Sequence, residues 1–81
     1  MTDILNIPGM LTPAKCRAAR GLLNWSQQKL AEEAGVGVVT VRQFEGQAAQ
    51  PRRATMDVLV RAFESAGIRF TEHGVELPPS A

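Results

Sequence analysis

Apolar side chains recur at helical spacing in four stretches of this 81-residue chain, and each stretch is bounded by residues that start or stop a helix. Thr12 followed by Pro13 predicts the first start, because the hydroxyl can cap free amides and proline loses no hydrogen bond at the first helical position. This helix should run to about Leu23 and end at Asn24. Its inward positions are Cys16, Ala19 and Leu23.

Two short helices separated by a glycine are predicted next. Ser26 is the expected N-cap of a helix over residues 27–34. Gly35 stops that helix, since glycine readily adopts the left-handed conformation that a tight turn between helices requires. A third helix fits residues 38–45. The inward positions of the two helices are Leu30, Ala31, Ala34, Val41 and Phe44.

A fourth helix is predicted to begin near residues 53–55 and to stop at Gly67. Its apolar positions are Met56, Leu59, Val60 and Phe63. The first eleven residues are expected to form a short arm, because the Pro8-Gly9 pair forbids a helix there. The pattern therefore predicts a mainly α protein with about four helices.

Beyond the fourth helix, residues 68–72 and 75–77 alternate between apolar and polar side chains, which indicates a short C-terminal β-hairpin. If His73 and Gly74 form a two-residue turn, Phe70 lies opposite Leu77 across the hairpin. The residues expected to share one face are Ile68, Phe70, Val75 and Leu77.

The formal net charge is only +1, but the charges are unevenly distributed. Between Thr12 and Arg61, eight lysines and arginines stand against four acidic residues, and both ends of the chain are acidic by comparison. A basic centre is what a surface that faces phosphates needs. A randomly solvated surface is the alternative interpretation.

The chain shows no arrangement of residues for catalysis. Cys16 is the only cysteine, so no intrachain disulfide or cysteine zinc site can form, and a small buried apolar side chain is favoured over a redox sensor. His73 beside Gly74 is typical of a turn rather than of a catalytic base. We therefore expect no enzyme activity and no cofactor or metal.

The chain also lacks the signals of membrane insertion or export. No apolar run approaches the roughly 18 residues of a membrane span, and the N-terminus lacks the basic start of a signal peptide. These features predict a soluble cytoplasmic protein without a membrane partner.

Two short helices joined through a glycine-containing turn are typical of a helix-turn-helix, whose second helix can enter the major groove of DNA. The motif needs a small residue where the helices cross, a turn residue that tolerates the left-handed conformation, and apolar anchors under the second helix. In a motif that starts at Gln27, the small residue is Ala31 and the turn residue is Gly35. The apolar anchors are Val41 and Phe44.

The stretch WSQQKLAEEAGV at residues 25–36 resembles the "sQxxLAxxaGv" pattern of the Cro/C1-type (XRE) helix-turn-helix family of phage repressors and bacterial regulators. The likeness continues through residues 40–45 and covers roughly residues 12–67. It implies a lambda-repressor-like bundle as the DNA-binding domain. Residues 1–11 would form the arm before it, and residues 68–81 would form the hairpin and a loose tail.

The resemblance also implies roles for individual residues. Gln27 would bind a DNA phosphate, and Arg20 with Glu45 would form a buried salt bridge that ties the first helix to the end of the recognition helix. Arg52 and Arg53 lie where the family makes phosphate or minor-groove contacts. The full set of expected DNA-contacting residues is Gln27, Gln28, Val38, Val39, Thr40, Arg42, Gln43, Arg52 and Arg53.

The front of the recognition helix departs from the family pattern. Positions that are usually polar are Gly37, Val38 and Val39 here. A valine can touch a thymine methyl group but cannot make a bidentate hydrogen bond, so base readout should fall mainly to Thr40, Arg42 and Gln43. Readout by one monomer would be modest.

Dimerisation would compensate for modest readout by placing two recognition helices on one face of double-stranded DNA. The hairpin at residues 68–77 is the candidate contact between two copies, with a simple intrachain lid as the alternative.

Two functions remain open from the sequence. The first is a sequence-specific DNA-binding transcriptional regulator, expected to be a repressor. The second is an antiactivator that grips another transcription factor through the apolar surface of the same helix, with Val38 and Val39 exposed.

Overall fold

A computed structural model describes residues 11–79 of the protein, and its main elements are four helices followed by a two-stranded hairpin. The helices are α1 (Pro13–Leu23), α2 (Gln27–Ala34), α3 (Val38–Glu45) and α4 (Arg53–Ser65), and the strands are β1 (Arg69–Phe70) and β2 (Val75–Glu76). The predicted mainly α fold with a C-terminal hairpin is confirmed. Most of the predicted arm lies outside the described residues, as do residues 80–81 of the predicted tail.

The helix boundaries follow from local capping. The Thr12 hydroxyl accepts a hydrogen bond from the backbone amide of Lys15 at 3.0 Å, and the Ser26 hydroxyl accepts one from the amide of Lys29 at 2.9 Å. Asn24 ends α1 in the left-handed conformation (φ 60°). The predicted starts of α1 and α2 and the predicted end of α1 are therefore confirmed.

The core lies between the helices and the inner face of the hairpin. Phe63 on α4 is fully buried at its centre, with Trp25 stacked on it at 5.9 Å and Phe70 packed edge-on at 6.0 Å between ring centroids. The aromatic contacts thus join α4 to the segment between α1 and α2 and to β1. Leu11, the last residue of the predicted arm, is also buried in this core.

The hairpin register differs from the predicted one. Phe70 pairs with Val75, and not with Leu77, so the loop has four residues rather than two. The amide of Thr71 donates to the carbonyl of Gly74 at 2.8 Å, and the Thr71 hydroxyl accepts from the amide of Gly74 at 2.9 Å. These two bonds close a four-residue loop over residues 71–74 and shift the register by two residues from that of a His73-Gly74 turn.

The residues predicted to share one face of the hairpin still do so, because a register shift of two residues leaves each side chain on the same side of the ladder. Ile68 is buried, Phe70 and Val75 pack against the core, and Leu77 remains 40% exposed. The Lys15 ammonium donates to the carbonyl oxygens of Thr71 at 2.7 Å and Glu72 at 3.2 Å. This contact fixes the hairpin loop to α1.

Across residues 11–79, no helix combines the length and the apolar character that crossing a membrane would demand.

Candidate nucleic-acid interface

The α3 helix has one buried face and one exposed face. Val41, Phe44 and Glu45 are buried, whereas Val39, Arg42 and Gln43 are exposed. The exposed residues stand at positions i, i+3 and i+4, which lie on the same side of an α-helix. Thr40 lies half-buried on the flank of this surface. We call Val39, Arg42 and Gln43 the outer face of α3.

The turn between α2 and α3 fixes the direction of the outer face. Gly35 has a φ of 74°, a conformation that favours glycine, and its amide donates to the carbonyl of Ala31 at 2.9 Å. The amide of Val36 shares that carbonyl at 3.0 Å, which completes a tight helix end. Ala31 itself is buried, so only a small side chain fits there. Ala31 and Gly35 thus occupy the structural positions that the motif requires.

A buried carboxylate holds the far end of α3. Glu45 is 5% exposed, and its two oxygens accept from Arg20 Nε and Nη2, each at 2.7 Å. This is a bidentate ion pair, the strongest geometry available to a guanidinium and a carboxylate. The salt bridge that the family resemblance implies is present, and it ties α1 to the C-terminal end of α3.

Two more side chains complete the arrangement around this carboxylate. The Cys16 thiol donates to Glu45 Oε2 at 3.0 Å, and the Gln27 amide donates to Glu45 Oε1 at 3.1 Å. We call Cys16, Arg20, Gln27 and Glu45 the Glu45 cluster. Arg17 adds a hydrogen bond of 2.7 Å to the backbone carbonyl of Glu45. Donors from α1 and α2 therefore converge on the last residue of α3.

The roles of Cys16 and Arg17 were not predicted from the sequence. Their spacing from Arg20 carries the available signal, since residues 16, 17 and 20 lie on adjacent turns of one helix and can reach the same partner. Helical periodicity identified Cys16 as buried, but nothing in the pattern indicated that its thiol meets a carboxylate.

The cluster shifts the pKa values of its members. Burial by itself would raise the pKa of the Glu45 carboxyl. The hydrogen bonds from Arg20, Cys16 and Gln27, together with the charge of Arg20, outweigh burial and hold that pKa below its usual value. Burial, followed by the hydrogen bond to Glu45, raises the pKa of the Cys16 thiol, which therefore stays protonated and donates. The hydrogen bond to Glu45 raises the pKa of Arg20 further.

A groove runs beside the outer face of α3. It has a volume of about 350 Å³, and its lining residues are Thr40, Gln43, Ala49, Gln50, Pro51, Arg52 and Thr55. Three residues predicted to contact DNA thus meet along one groove, with Thr40 and Gln43 on α3 and Arg52 just before α4. Arg53 is exposed at the start of α4.

The sequence matches a known family over the helices that build this geometry. A family model described as helix-turn-helix matches residues 17–66, which is more than half of the chain. The chain belongs to the Cro/C1-type helix-turn-helix family. No curated protein matches it with significance. As a member of this family it is a DNA-binding helix-turn-helix regulator, and the family is one of regulatory DNA-binding domains rather than of enzymes.

Two glutamines that the sequence predicts to contact DNA lie at the start of α2. Gln27 is half-buried, and one hydrogen of its amide is occupied by Glu45. Its second amide hydrogen is left for another acceptor. Gln28 is exposed and donates to Glu32 on the same helix at 3.2 Å. Both lie on the first turn of α2, where backbone amides are free to meet an anion.

One expectation about the apolar front of α3 is wrong. Val38 is only partly exposed, because it packs against the core from the first position of the helix. Val39 is 53% exposed. The exposed apolar surface at this end of α3 is therefore a single valine rather than a pair.

Across residues 11–79, no group of His, Cys, Asp or Glu side chains is arranged to hold a metal ion.

Proposed function

We propose that this protein is a sequence-specific transcriptional regulator that inserts α3 into the major groove and acts as a repressor. One observation carries the proposal, which is that the outer face of α3 and the groove with Arg52 form a continuous surface. Groups that can read base edges therefore lie beside a cation that can hold the DNA backbone. Sequence-specific binding needs both kinds of contact.

Three side chains of α3 have the chemistry to read bases. An arginine pairs with the two acceptors of guanine, and a glutamine pairs with the donor and acceptor of adenine, so Arg42 and Gln43 suit a G and an A in the site. Each such pair discriminates against the wrong base by about 1–3 kcal/mol. Thr40 offers a hydroxyl and a methyl group from the flank.

Backbone contacts would come from both sides of α3. Arg52 and Arg53 are exposed next to the groove, and they would neutralise phosphates without reading sequence. Gln27 and Gln28 stand at the N-terminus of α2, whose free amides and positive dipole end favour a phosphate. The hydrogen bond from Gln27 to Glu45 orients this amide before DNA arrives.

Repression follows most directly from this surface. A protein that occupies a promoter blocks access to it, whereas activation requires an additional contact with the transcription machinery. Action on chromosomal DNA in a bacterial cell would place the protein in the cytoplasm.

We also propose a homodimer through the hairpin at residues 68–77. Within residues 11–79, β1 and β2 pair only with each other, so one edge of each strand has no strand partner there. Leu77 adds exposed apolar surface at the base of the hairpin. Sedimentation analysis of the wild type and of Leu77→Asp, which places a charge on this exposed apolar surface, would test the proposal. A wild type that stays monomeric at high concentration would contradict it.

Gel-shift titration with DNA from upstream of the protein's own coding sequence tests the proposed function. We expect a shift that survives an excess of unrelated DNA and that weakens as salt concentration rises. Selection from a random-sequence duplex library extends the test to operators located elsewhere. A protein that enriches no sequence from that library is not a sequence-specific regulator.

The antiactivator alternative has limited support from the surface of α3. Val39 is the sole exposed large apolar residue on this helix. A partner protein would then depend on Arg42 and Gln43 as much as on apolar contact. Co-purification with a transcription factor that is lost in Val39→Asp, together with failure to enrich any DNA, would favour this alternative.

A further inference from the structure

Val39 is the most exposed of the large apolar side chains in residues 11–79. It lies outside the buried core and outside the set of side chains that pack against it. A β-branched residue also lowers helix propensity slightly, because its side chain loses rotamer freedom in a helix. Neither packing nor helix formation therefore accounts for a valine at this position.

The neighbours of Val39 indicate what the side chain can meet. Arg42 and Gln43 follow one turn later on the same outer face. These residues carry donors suited to base edges, so a ligand that reaches them in the major groove also reaches Val39. The major-groove edge of DNA offers one apolar group, which is the C5-methyl group of thymine.

We infer that Val39 is a specificity-determining residue that reads a thymine methyl group beside the bases read by Arg42 and Gln43. This inference rests on the proposed function, because it requires α3 to lie in the major groove. The isopropyl group of valine is held in one preferred rotamer within a helix, so it offers a fixed apolar surface to the methyl group. An unmethylated pyrimidine at that position would leave the surface facing water.

The expected discrimination follows from the area of one methyl group. Removing one buried methyl from the interface should weaken binding about fourfold, which is the equivalent of one buried CH₂ group. Uracil differs from thymine only by this methyl group and keeps the same hydrogen-bonding edge. Replacement of single thymines by uracil therefore isolates the contact without changing any base pair.

The test starts with the best duplex selected by the wild-type protein from a random-sequence library. Each thymine of that duplex is replaced in turn by uracil, and affinity is measured for the wild type and for Val39→Ala. We expect one thymine per half-site whose replacement by uracil weakens binding of the wild type about fourfold. The same replacement should not weaken binding of Val39→Ala. Leu22→Ala, which shortens another exposed apolar residue, should keep the full uracil penalty.

The outcomes separate this inference from the proposed function. If the library yields no enriched sequence, the proposed function fails and the inference fails with it. If a sequence is enriched but no uracil replacement weakens binding, only the inference about Val39 is overturned. It is also overturned if the uracil penalty persists unchanged in Val39→Ala, since another residue then reads the methyl group. Urea unfolding should show that Val39→Ala is at least as stable as the wild type, which excludes a loss of folding as the cause.

Discussion

The two faces of α3 place their charged side chains in opposite environments, one buried and one exposed. Glu45 points inward, and each of its carboxylate oxygens accepts from two donors. Arg42, three residues earlier, points outward and makes no side-chain hydrogen bond or ion pair with any other residue of the range 11–79. One eight-residue helix therefore carries a fully satisfied charge and a charge without a side-chain partner among residues 11–79.

The inner face therefore determines the position of α3, and the outer face determines what α3 can bind. A buried charge must keep its partners, because leaving it unpaired costs several kcal/mol, so the inner face holds α3 in one position. An exposed charge keeps its hydration and its freedom to bind a partner. Substitutions on the inner face should therefore change stability first, and substitutions on the outer face should change DNA affinity alone.

The largest effect is expected from Arg20→Ala. Removing this guanidinium leaves Glu45 buried without its counter-charge, at a cost of about 3–5 kcal/mol in the free energy of unfolding. Urea unfolding followed by circular dichroism measures the loss. The control is Lys29→Ala, which breaks the exposed ion pair with Glu33 and should cost less than about 1 kcal/mol.

The double variant Arg20→Met with Glu45→Leu sharpens this prediction. Replacing a buried ion pair by apolar residues of similar volume is often neutral, so the double variant should regain most of the stability lost in Arg20→Ala. Equal losses in Arg20→Ala and Lys29→Ala would show that the inner face has no special role.

The second effect belongs to the outer face. Arg42→Ala and Gln43→Ala should each weaken binding to the selected operator by about 5- to 150-fold, the equivalent of one lost bidentate contact. Because neither residue is buried, the free energy of unfolding should stay within about 0.5 kcal/mol of the wild type. Fluorescence anisotropy with labelled operator measures the affinity. Arg61→Ala on α4 is the matched control, and an equal loss there would contradict base reading by Arg42.

A smaller effect is expected at Cys16, where the inner face can be tested through pH. Cys16→Ser keeps a donor for Glu45, whereas Cys16→Ala removes it at nearly the same side-chain volume. At pH 7 the alanine variant should be less stable than the serine variant by about 1 kcal/mol, the net value of one hydrogen bond.

The pH dependence of this difference has a definite sign. The pKa of Glu45 is held below its ordinary value of 4.5 in the folded protein. The stability that its contacts supply is therefore present above pH 4.5 and is lost as pH falls through the folded pKa. The gap between Cys16→Ser and Cys16→Ala should shrink over this range in urea titrations. A gap that does not depend on pH would show that the thiol does not act through the carboxylate.

The two faces of α3 also show which features of the fold could be predicted from the sequence. The helices were predictable because caps and periodicity act within a few residues, as Thr12, Ser26 and Gly35 show. The outward direction of Arg42 and Gln43 followed from the same periodicity. Local signals of this kind predict where a helix begins and ends and which of its sides is exposed.

Other features depend on contacts that helical periodicity and turn preferences do not encode. The hairpin register is set by two bonds within the Thr71–Gly74 loop, and the Pro/Gly/Asn rules for turns did not anticipate the threonine hydroxyl. The thiol of Cys16 meets a carboxylate 29 residues away in the chain. Helical spacing showed that Cys16 is buried, but only the packing of α1 on α3 shows what it donates to. Val38 was expected at the surface for a related reason, since its burial depends on where α3 sits.

The smallest effect is expected for Arg52→Ala, which tests whether the outer surface extends beyond α3. Arg52 precedes α4 but makes no side-chain capping bond, so its removal should leave the helix and the free energy of unfolding unchanged. If Arg52 neutralises one phosphate, the variant should bind operator and unrelated DNA more weakly by the same factor. The slope of log affinity against log salt should then become shallower by about 0.9. Arg61→Ala is the matched control here as well, because Arg61 is exposed on α4 and does not line the groove. A slope that stays the same in Arg52→Ala would exclude Arg52 from the phosphate contacts. A loss restricted to the operator would instead make Arg52 a reader of sequence.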